Sequence, residues 1–460
     1  MAIIKTFFVP HPPLIIPEIG HGEEKKIQRT IDAYHAVAAE ISEFKPDTII
    51  ISSPHSTVYS DYFHISPGVE AYGDFSAFRF SDLIFRVNYD KELVDKISKF
   101  SKKHKINAGT FGERERTLDH ATLIPLYFIN QYYQDYKIIR ISPSNLPLID
   151  HYNLGKMINS LIPENKKVVW VASGDLSHKL KADGPYGLAE EGIEFDKIIT
   201  KLIQFGDFKE ILKLKPKFYR KAAECGLGSL TMMAGVLDGY NIISNLLSYE
   251  APFGVGYAVA RFERKDFNKS REFSKEYSIL EKIYKEKARK EEDSYVRLAR
   301  MSLEYYINNN KILPRPKKLD DDLINNKAGV FVTLHMDGNL RGCIGTINPT
   351  TASVADEIIQ NAVSSGTRDY RFSNVTKEEL PRLEYSVDVL FKPEPIESKH
   401  QLDINKYGVI VRSGYKSGLL LPHIDGINSV DEQIDIARRK ARIKDDEPYT
   451  LERFEVVRHL

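Results

Sequence analysis

The chain has 460 residues, 42% of them hydrophobic and 28% charged, with a formal net charge of +1 at pH 7. That length exceeds one ordinary core, so two or three domains are expected. The balanced charge gives no general pull toward nucleic acid or an acidic membrane surface. No run reaches the length of a transmembrane helix, and the start of the chain lacks a basic stretch leading into an apolar one. The two cysteines, Cys225 and Cys343, are too far apart for a disulfide framework and fit a reducing, cytoplasmic compartment.

Residues 1–264 read as alternating strands and helices. Ile3–Val9 is a short apolar run, and Ile27, Ile31, Tyr34, Ala38 and Ile41 recur at helical spacing. DTIIIS (47–52), KIIRIS (137–142), KVVWVAS (167–173) and GYAVARF (256–262) are β-branched runs of the buried type. Strands separated by helical patterns predict an α/β domain with a mostly parallel or mixed sheet.

Residues 265–289 form a charge-dense stretch without Gly or Pro, read as a linker running into a solvated amphipathic helix. The remaining residues, 290–460, predict an α+β domain. Val296, Ala299, Leu303 and Tyr306 make a helical stripe, GVFVTLH (329–335) is a strand, and MDGN (336–339) is a hairpin turn with Asp337-Gly338 as its tight pair. Ser353 to about Ser365 reads as a helix. In LEYSVDVLF (383–391) Tyr385, Val387 and Val389 alternate with Glu384, Ser386 and Asp388, which predicts one buried and one wet sheet face. Strands at Tyr407–Arg412 and Gly418–Pro422 and a helix near Val430–Ala441 complete the domain.

Nine of the thirteen histidines sit in helix faces, loops or termini without supporting neighbours; His64 and His151 are among them. The other four each follow a strand or turn among small, polar or proline residues: His11 in VPHPP, His55 in ISSPHS, His120 in LDHATLIP and His178 in ASGDLSH. Proline on both sides holds His11 in a stiff extended segment. His11, His55 and His178 stand just past three strands, where an α/β sheet opens its crevice. That placement suits a metal site with an acid/base group, the alternative being three unrelated loop histidines.

A two-histidine, one-carboxylate set on a non-haem Fe(II) needs an acid as well. Glu224 in KAAECGLGSL is the favoured candidate, because burying a carboxylate among small apolar residues is costly without a cation. Cys225 beside it is a softer ligand. Asp61, Asp119 and Asp175 are weaker alternatives with turn or capping duty.

PHPPLIIPEIG, ISSPHS, DHATLIPL, SGDLSH and ECGLGSL, in that order, make the first 260 or so residues resemble the catalytic subunit of class III extradiol ring-cleaving dioxygenases and their Memo-like relatives. The resemblance implies Fe(II), or another divalent ion, on His11, His55 and Glu224. It implies His178 as acid/base, His120 as a second histidine facing substrate, and a catechol-type molecule chelating the metal. Memo-like proteins resemble the chain at the Cys-Gly step, where a cysteine takes the metal-site position, so Cys225 stands as the alternative third ligand.

LRGCIGT (340–346), SGTRDYRFSNVT (365–376) and YGVIVRSGYKSGLLLP (407–422) make the C-terminal part resemble the AMMECR family. Asp369-Tyr370-Arg371-Phe372 departs in its second residue from the Asp-Pro-Arg-Phe or Asp-Ser-Arg-Phe usual there. RGCIG reads as a Gly-punctuated turn that brings Arg341 and Cys343 near a surface groove, with Cys343 a nucleophile only if a cation lowers its pKa. The fusion resembles the AmmeMemoRadiSam group, which implies a radical SAM protein as partner, in a pathway whose oxygen sensitivity leaves the oxidant open. Two functions are therefore expected. One is an iron enzyme opening the ring of a catechol-like small molecule, or doing related chemistry. The other is a metal-binding scaffold or adaptor for a partner protein or peptide. A homo-oligomer is compatible with either.

Overall fold

The computed structural model describes residues 3–114, 116–336, 338–424 and 426–460. It divides into two compact units, Met1–Lys282 and Ile283–Leu460.

The first unit is built on a six-stranded mixed sheet. In chain order its strands are β1 (Lys5–Val9), β2 (Thr48–Ser52), β3 (Lys137–Ile141), β4 (Val168–Ser173), β5 (Tyr240–Glu250) and β6 (Tyr257–Phe267). Across the sheet they lie in the order β3-β2-β4-β1-β6-β5. The first four pair in parallel; β1–β6 and β6–β5 pair antiparallel. Every residue of β2 and β4 is buried, which explains their unbroken apolar, β-branched sequences. One apolar cluster containing Phe8, Ile50 and Trp170 and another containing Phe7, Ile49 and Val171 occupy opposite faces of the sheet, as the two-residue period of a strand requires. Helices α1 (Gln28–Phe44), α2 (Lys91–His104), α3 (His120–Ile129), α4 (Leu148–Leu161), α5 (Glu190–Phe205) and α6 (Leu227–Val236) belong to this unit. Strand β6 runs to Phe267, so the stretch expected as a linker begins as sheet; a helix at Phe273–Glu291 follows.

The second unit carries a seven-stranded antiparallel sheet. Its main strands are β7 (Gly329–Met336), β8 (Asn339–Gly345), β9 (Leu383–Leu390), β10 (Tyr407–Ser413), β11 (Lys416–Leu420) and β12 (Thr450–His459), ordered β8-β7-β9-β12-β10-β11. The short strand Glu394–Ile396 pairs with β12. Helices α7 (Ser294–Asn309) and α8 (Val354–Thr367) cover one face through a core that includes Val332, Val387 and Leu303. A helix at Val430–Ala441 packs its Ile434 and Ala437 against Val409 and Val411 of β10. Met336 pairs with Asn339 across the β7–β8 hairpin, and Gly338 has a φ of 76°; Asp337 lies outside the described residues.

Three expectations need correction. RGCIG is not a turn: it lies within strand β8, Asn339–Gly345. The polar face of LEYSVDVLF is wet only at Glu384: Ser386 and Asp388 are buried. Arg458 of β12 pairs with Asp388 and donates to both its carboxylate oxygens, at 2.7 and 3.0 Å, which satisfies a charge that burial would otherwise make costly. His64 is not a loop residue. It lies in a short strand, Phe63–His64, paired parallel with Ala108–Gly109, and is fully buried.

Neither ring nitrogen of His64 has a partner among the described residues. Burial, with a smaller push from Arg140, lowers its pKa to about 4. The unfolded chain therefore binds this proton first, and stability falls as pH drops from about 6.5 toward 4, by up to ~1.4 kcal/mol per pH unit. His64→Phe should remove that share of the acid limb and raise neutral stability by about 1–2 kcal/mol, since an unsatisfied buried polar group is lost. Urea unfolding at pH 5 and pH 7.5 reads both effects, and an unchanged difference between the two pH values would refute them.

Candidate metal centre

The site forms at the carboxyl ends of β1, β2 and β4. Val9 pairs with Ser173 and Ser52 with Ala172, so the chain leaves all three adjacent strands at one level. His11 follows Val9 by two residues, His55 follows Ser52 by three, and Asp175 follows Ser173 by two. His11 is buried, and three bonds fix its segment. Its N–H donates to Asp175 Oδ1 at 2.8 Å, Nδ1 lies 3.0 Å from Ser173 Oγ, and the Tyr34 hydroxyl donates to Pro10 O. With Nδ1 engaged by the serine, Nε2 is left to face the crevice.

His11 Nε2 and His55 Nε2 stand 3.1 Å apart. Two imidazole lone pairs at that distance repel unless a proton or a cation lies between them. Cys225 Sγ is 3.5 Å from the same His11 Nε2. Ligand atoms about 2.0–2.3 Å from a tetrahedral ion stand about 3.3–3.6 Å from one another, so these three groups are spaced to hold a metal.

The sequence favoured Glu224 for the third position, but the structure turns it away from the histidines. Its carboxylate accepts the Leu227 N–H at 2.6 Å and so serves the start of α6. At this bend the thiol, rather than the neighbouring carboxylate, reaches His11. Two turns set that choice. Ala223 ends the helix Pro216–Ala222 in the left-handed region, φ 52°. Cys225 and Gly226 N–H groups both donate to Asp175 O, at 3.4 and 2.9 Å, while Asp175 N–H points at Cys225 Sγ, 3.3 Å away. His178 N–H and Ser177 Oγ both reach Ala222 O. The turns touch at Gly174 and Gly226, where a Cβ on Gly174 would sit 2.1 Å from Gly226 Cα.

The remaining histidines complete the floor. His120 opens α3, and its ring centroid lies 4.4 Å from that of His55 and 5.3 Å from that of His11. Asp119, capping α3 through Thr122 N–H, also accepts from Ser53 Oγ at 2.5 Å, and Ser53 Oγ in turn accepts the His55 N–H at 3.2 Å. The fully buried Arg140 approaches Asp119 at 3.5 Å and donates to Ser66 Oγ and Thr117 O at 2.7 Å each, so one cation steadies the loops of two site histidines. No local signal in the sequence marked Arg140, because its partners lie on separate loops. His178 stacks on Tyr186, with centroids 5.1 Å apart. Asp175, read from sequence as a turn residue, lies between the histidines: Oδ2 is 4.0 Å from both His11 Nε2 and His178 Nε2.

Burial dominates the electrostatics. It lowers His11 well below the usual imidazole range, with help from His55, His120 and His178. It lowers His120 and His178 to about 4, with His55 adding to both. Burial raises Asp175 and Glu224 to about 7 and pushes the Cys225 thiol up. Above this floor opens a cavity of about 700 Å³. Phe78, Tyr186, Phe253 and Tyr257 wall it, and Lys26 and Lys181 stand at its lining.

The profile of the catalytic LigB subunit of aromatic ring-opening dioxygenase matches residues 5–260. The chain belongs to this family. The AMMECR1 profile matches residues 296–459, so a second family domain is fused to the first. Protein CA_C1420 of Clostridium acetobutylicum is 40% identical over 474 aligned residues, covering 100% of this chain and 99% of its own. A Thermotoga maritima protein is 43% identical over 170 residues, 36% of this chain and 98% of its own. The crystal structure of PH0010 from Pyrococcus horikoshii, an uncharacterized protein, aligns with 36% of this chain and 88% of its own at 32% identity, with a TM-score of 0.33.

In the AMMECR1 domain, Arg341 is buried and its Nε and Nη2 donate to Glu379 at 2.8 and 3.1 Å. Cys343 Sγ accepts from Thr333 Oγ1 at 3.2 Å, and its N–H donates to Asp369 at 2.9 Å. Burial raises the Cys343 thiol, against smaller opposing effects of the Thr333 hydrogen bond and Arg371, so the condition for a nucleophile, a cation that lowers its pKa, is not met. The first glycine of RGCIG is demanded by packing: a Cβ on Gly342 would lie 2.2 Å from Ser365 O.

Gly226→Ala tests whether the two turns place the thiol. Its Cβ would meet Asp175 O at 2.8 Å and Phe8 Cζ at 2.9 Å. We expect a loss of about 1–3 kcal/mol in stability from overpacking. Metal affinity of the surviving folded protein should fall at least tenfold, read by competition with a chromophoric chelator. Unchanged affinity would mean that the turn contact does not position Cys225.

Proposed function

We propose that the N-terminal unit is a non-haem metal enzyme of the extradiol type, acting on a small molecule that presents two adjacent oxygens to a metal held by His11, His55 and Cys225. One observation carries this reading. Two imidazole nitrogens 3.1 Å apart, with a thiol sulfur 3.5 Å from one of them, belong to histidines that line a cavity of about 700 Å³. The donor set fits a transition ion: imidazole and thiolate suit Fe(II) and its neighbours far better than Mg²⁺ or Ca²⁺. When bound, such an ion supplies open coordination positions and Lewis acidity toward a chelating substrate.

The protein's own groups do the rest. His120 and His178, lowered to about 4 by burial, are neutral imidazoles at pH 7, and a ring nitrogen of either can take a substrate hydroxyl proton. Phe78, Tyr186, Phe253 and Tyr257 exclude water and offer flat apolar faces to a ring. Asp119 and Arg140 hold the His55 and His120 loops against each other. A radical SAM protein as partner and a cytoplasmic location belong to the same proposal. The domain fusion supports the first. For the second, no helix among the described residues is long and apolar enough to cross a membrane.

A specific observation favours a second reading. Cys225 Sγ, rather than the Glu224 carboxylate, stands 3.5 Å from His11 Nε2, and a thiolate ligand suits a site that binds or stores a metal without oxygenating a ring. In that case the protein is a metal-binding scaffold or adaptor for a protein or peptide partner.

Anaerobic purification followed by metal analysis separates the ligand sets. We expect at least one equivalent of iron in the native protein, its loss in His11→Ala and Cys225→Ser, and its retention in Glu224→Gln. Iron kept by both His11→Ala and Cys225→Ser would sink the site, and loss in Glu224→Gln alone would return the third position to Glu224. Oxygen uptake with carboxylated and uncarboxylated catechols then decides between enzyme and scaffold.

A further inference from the structure

We propose that the cavity floor holds two transition-metal ions, with Cys225 and Asp175 standing between a His11–His55 half and a His178 half. The first ion rests on the reading above; the second is new. Two three-residue groups share one sulfur, His11–His55–Cys225 and Asp175–His178–Cys225, and within each group the ligand atoms all lie within 4.8 Å of one another.

The distances divide the donors into two sets around a common edge. Sγ is 3.5 Å from His11 Nε2 and 3.8 Å from His178 Nε2, while Asp175 Oδ2 is 4.0 Å from each of the same nitrogens. Both groups that can carry negative charge therefore stand between the two imidazoles rather than beside one. Thiolate sulfur and carboxylate oxygen each have lone pairs to spare after binding one ion, whereas an imidazole nitrogen has a single one. The bridging and terminal positions thus fall to the chemically suited groups. The His11–His55 and His11–Sγ spacings match the edges of one tetrahedral ion, about 3.3–3.6 Å, and the His178 half is wider, at 3.8 and 4.0 Å.

The surroundings fix each donor's orientation. Asp175 Oδ1 accepts the His11 N–H, so Oδ2 is the oxygen that remains for the site. The His178 ring is held in plane by Tyr186. Five donors also exceed the three that an open catalytic ion uses. His120 lies in neither group, so with both ions bound it is the histidine left to carry a proton.

Co(II) titration of the full-length, metal-stripped protein tests this. The expected result is two Co(II) per chain by elemental analysis. A thiolate-to-cobalt charge-transfer band should grow through both equivalents, and spin coupling should reduce the electron paramagnetic resonance intensity per cobalt at the second. His178→Ala and Asp175→Asn should each bind one Co(II) and keep the charge-transfer band. His178→Gln serves as a second variant should the alanine change unfold the loop, as circular dichroism would report. Saturation of the native protein at one Co(II) overturns the second ion and leaves the first intact. A single Co(II) abolished by His178→Ala overturns it too, in favour of one ion gathering all five donors. No Co(II) bound with a charge-transfer band overturns the first-ion reading together with the second.

Discussion

The contact between Gly174 and Gly226 is the constraint from which the rest of the site follows. A loop after β4 and the turn before α6 come together there more closely than any side chain would permit. Four backbone and side-chain bonds then lock the loop at Asp175 and Ser177 to the turn at Ala222–Gly226. The left-handed conformation of Ala223, which a β-carbon disfavours by roughly 1–2 kcal/mol, persists because those bonds over-determine it. The result is a sulfur and a carboxylate standing 3.5–4.0 Å from the imidazole nitrogens of His11 and His178, on a scaffold of fully buried parallel strands that leaves them little room to drift.

Such a floor is expensive in a protein without a cation. His11 is buried among three other imidazoles, and Asp175, Glu224 and Cys225 are all pushed toward their uncharged forms by burial. The 3.1 Å between His11 Nε2 and His55 Nε2 also calls for a proton or a cation between them. A metal reverses each of these terms at once: it accepts the lone pairs and compensates a thiolate and a carboxylate. The Ser173, Asp119 and Arg140 contacts behind the histidines hold that arrangement in advance, which is where second-layer groups act on a metal.

What could be read in the sequence follows the range of the interactions. DTIIIS, KIIRIS and KVVWVAS are buried on both faces, so composition alone marked them as strands, and histidines just past strand ends followed directly. Tyr240–Glu250 and Thr450–His459 mix polar and apolar residues on both faces and carried no such mark, although each adds a long strand to its sheet. The same limit governed LEYSVDVLF, where Asp388 reads as a solvent residue until Arg458, seventy positions on, is brought beside it. The choice between Glu224 and Cys225 is a matter of backbone direction at one residue. It depends on Asp175, some fifty positions earlier, and no periodicity within KAAECGLGSL encodes it.

The AMMECR1 domain applies the same chemistry to a different end. Around Cys343, two guanidiniums have fixed opposites: Arg371 donates to Asp369 at 2.7 and 2.9 Å, and Arg458 embraces Asp388. Arg371 holds the Asp369 carboxyl down at about 2, so that pair stays ionised across the physiological range. Guanidiniums committed to carboxylates in this way stabilise a thiolate less than free ones would, and burial then keeps the Cys343 thiol protonated. The contrast with the first unit is one of balance. At Cys343 the protein supplies the opposite charges itself, and the motif reads as a rigid sheet edge anchored to α8 through Ser365 and Asp369. At Cys225 it supplies donors without a counter-charge, and that imbalance is what marks the N-terminal crevice as the place where an ion belongs.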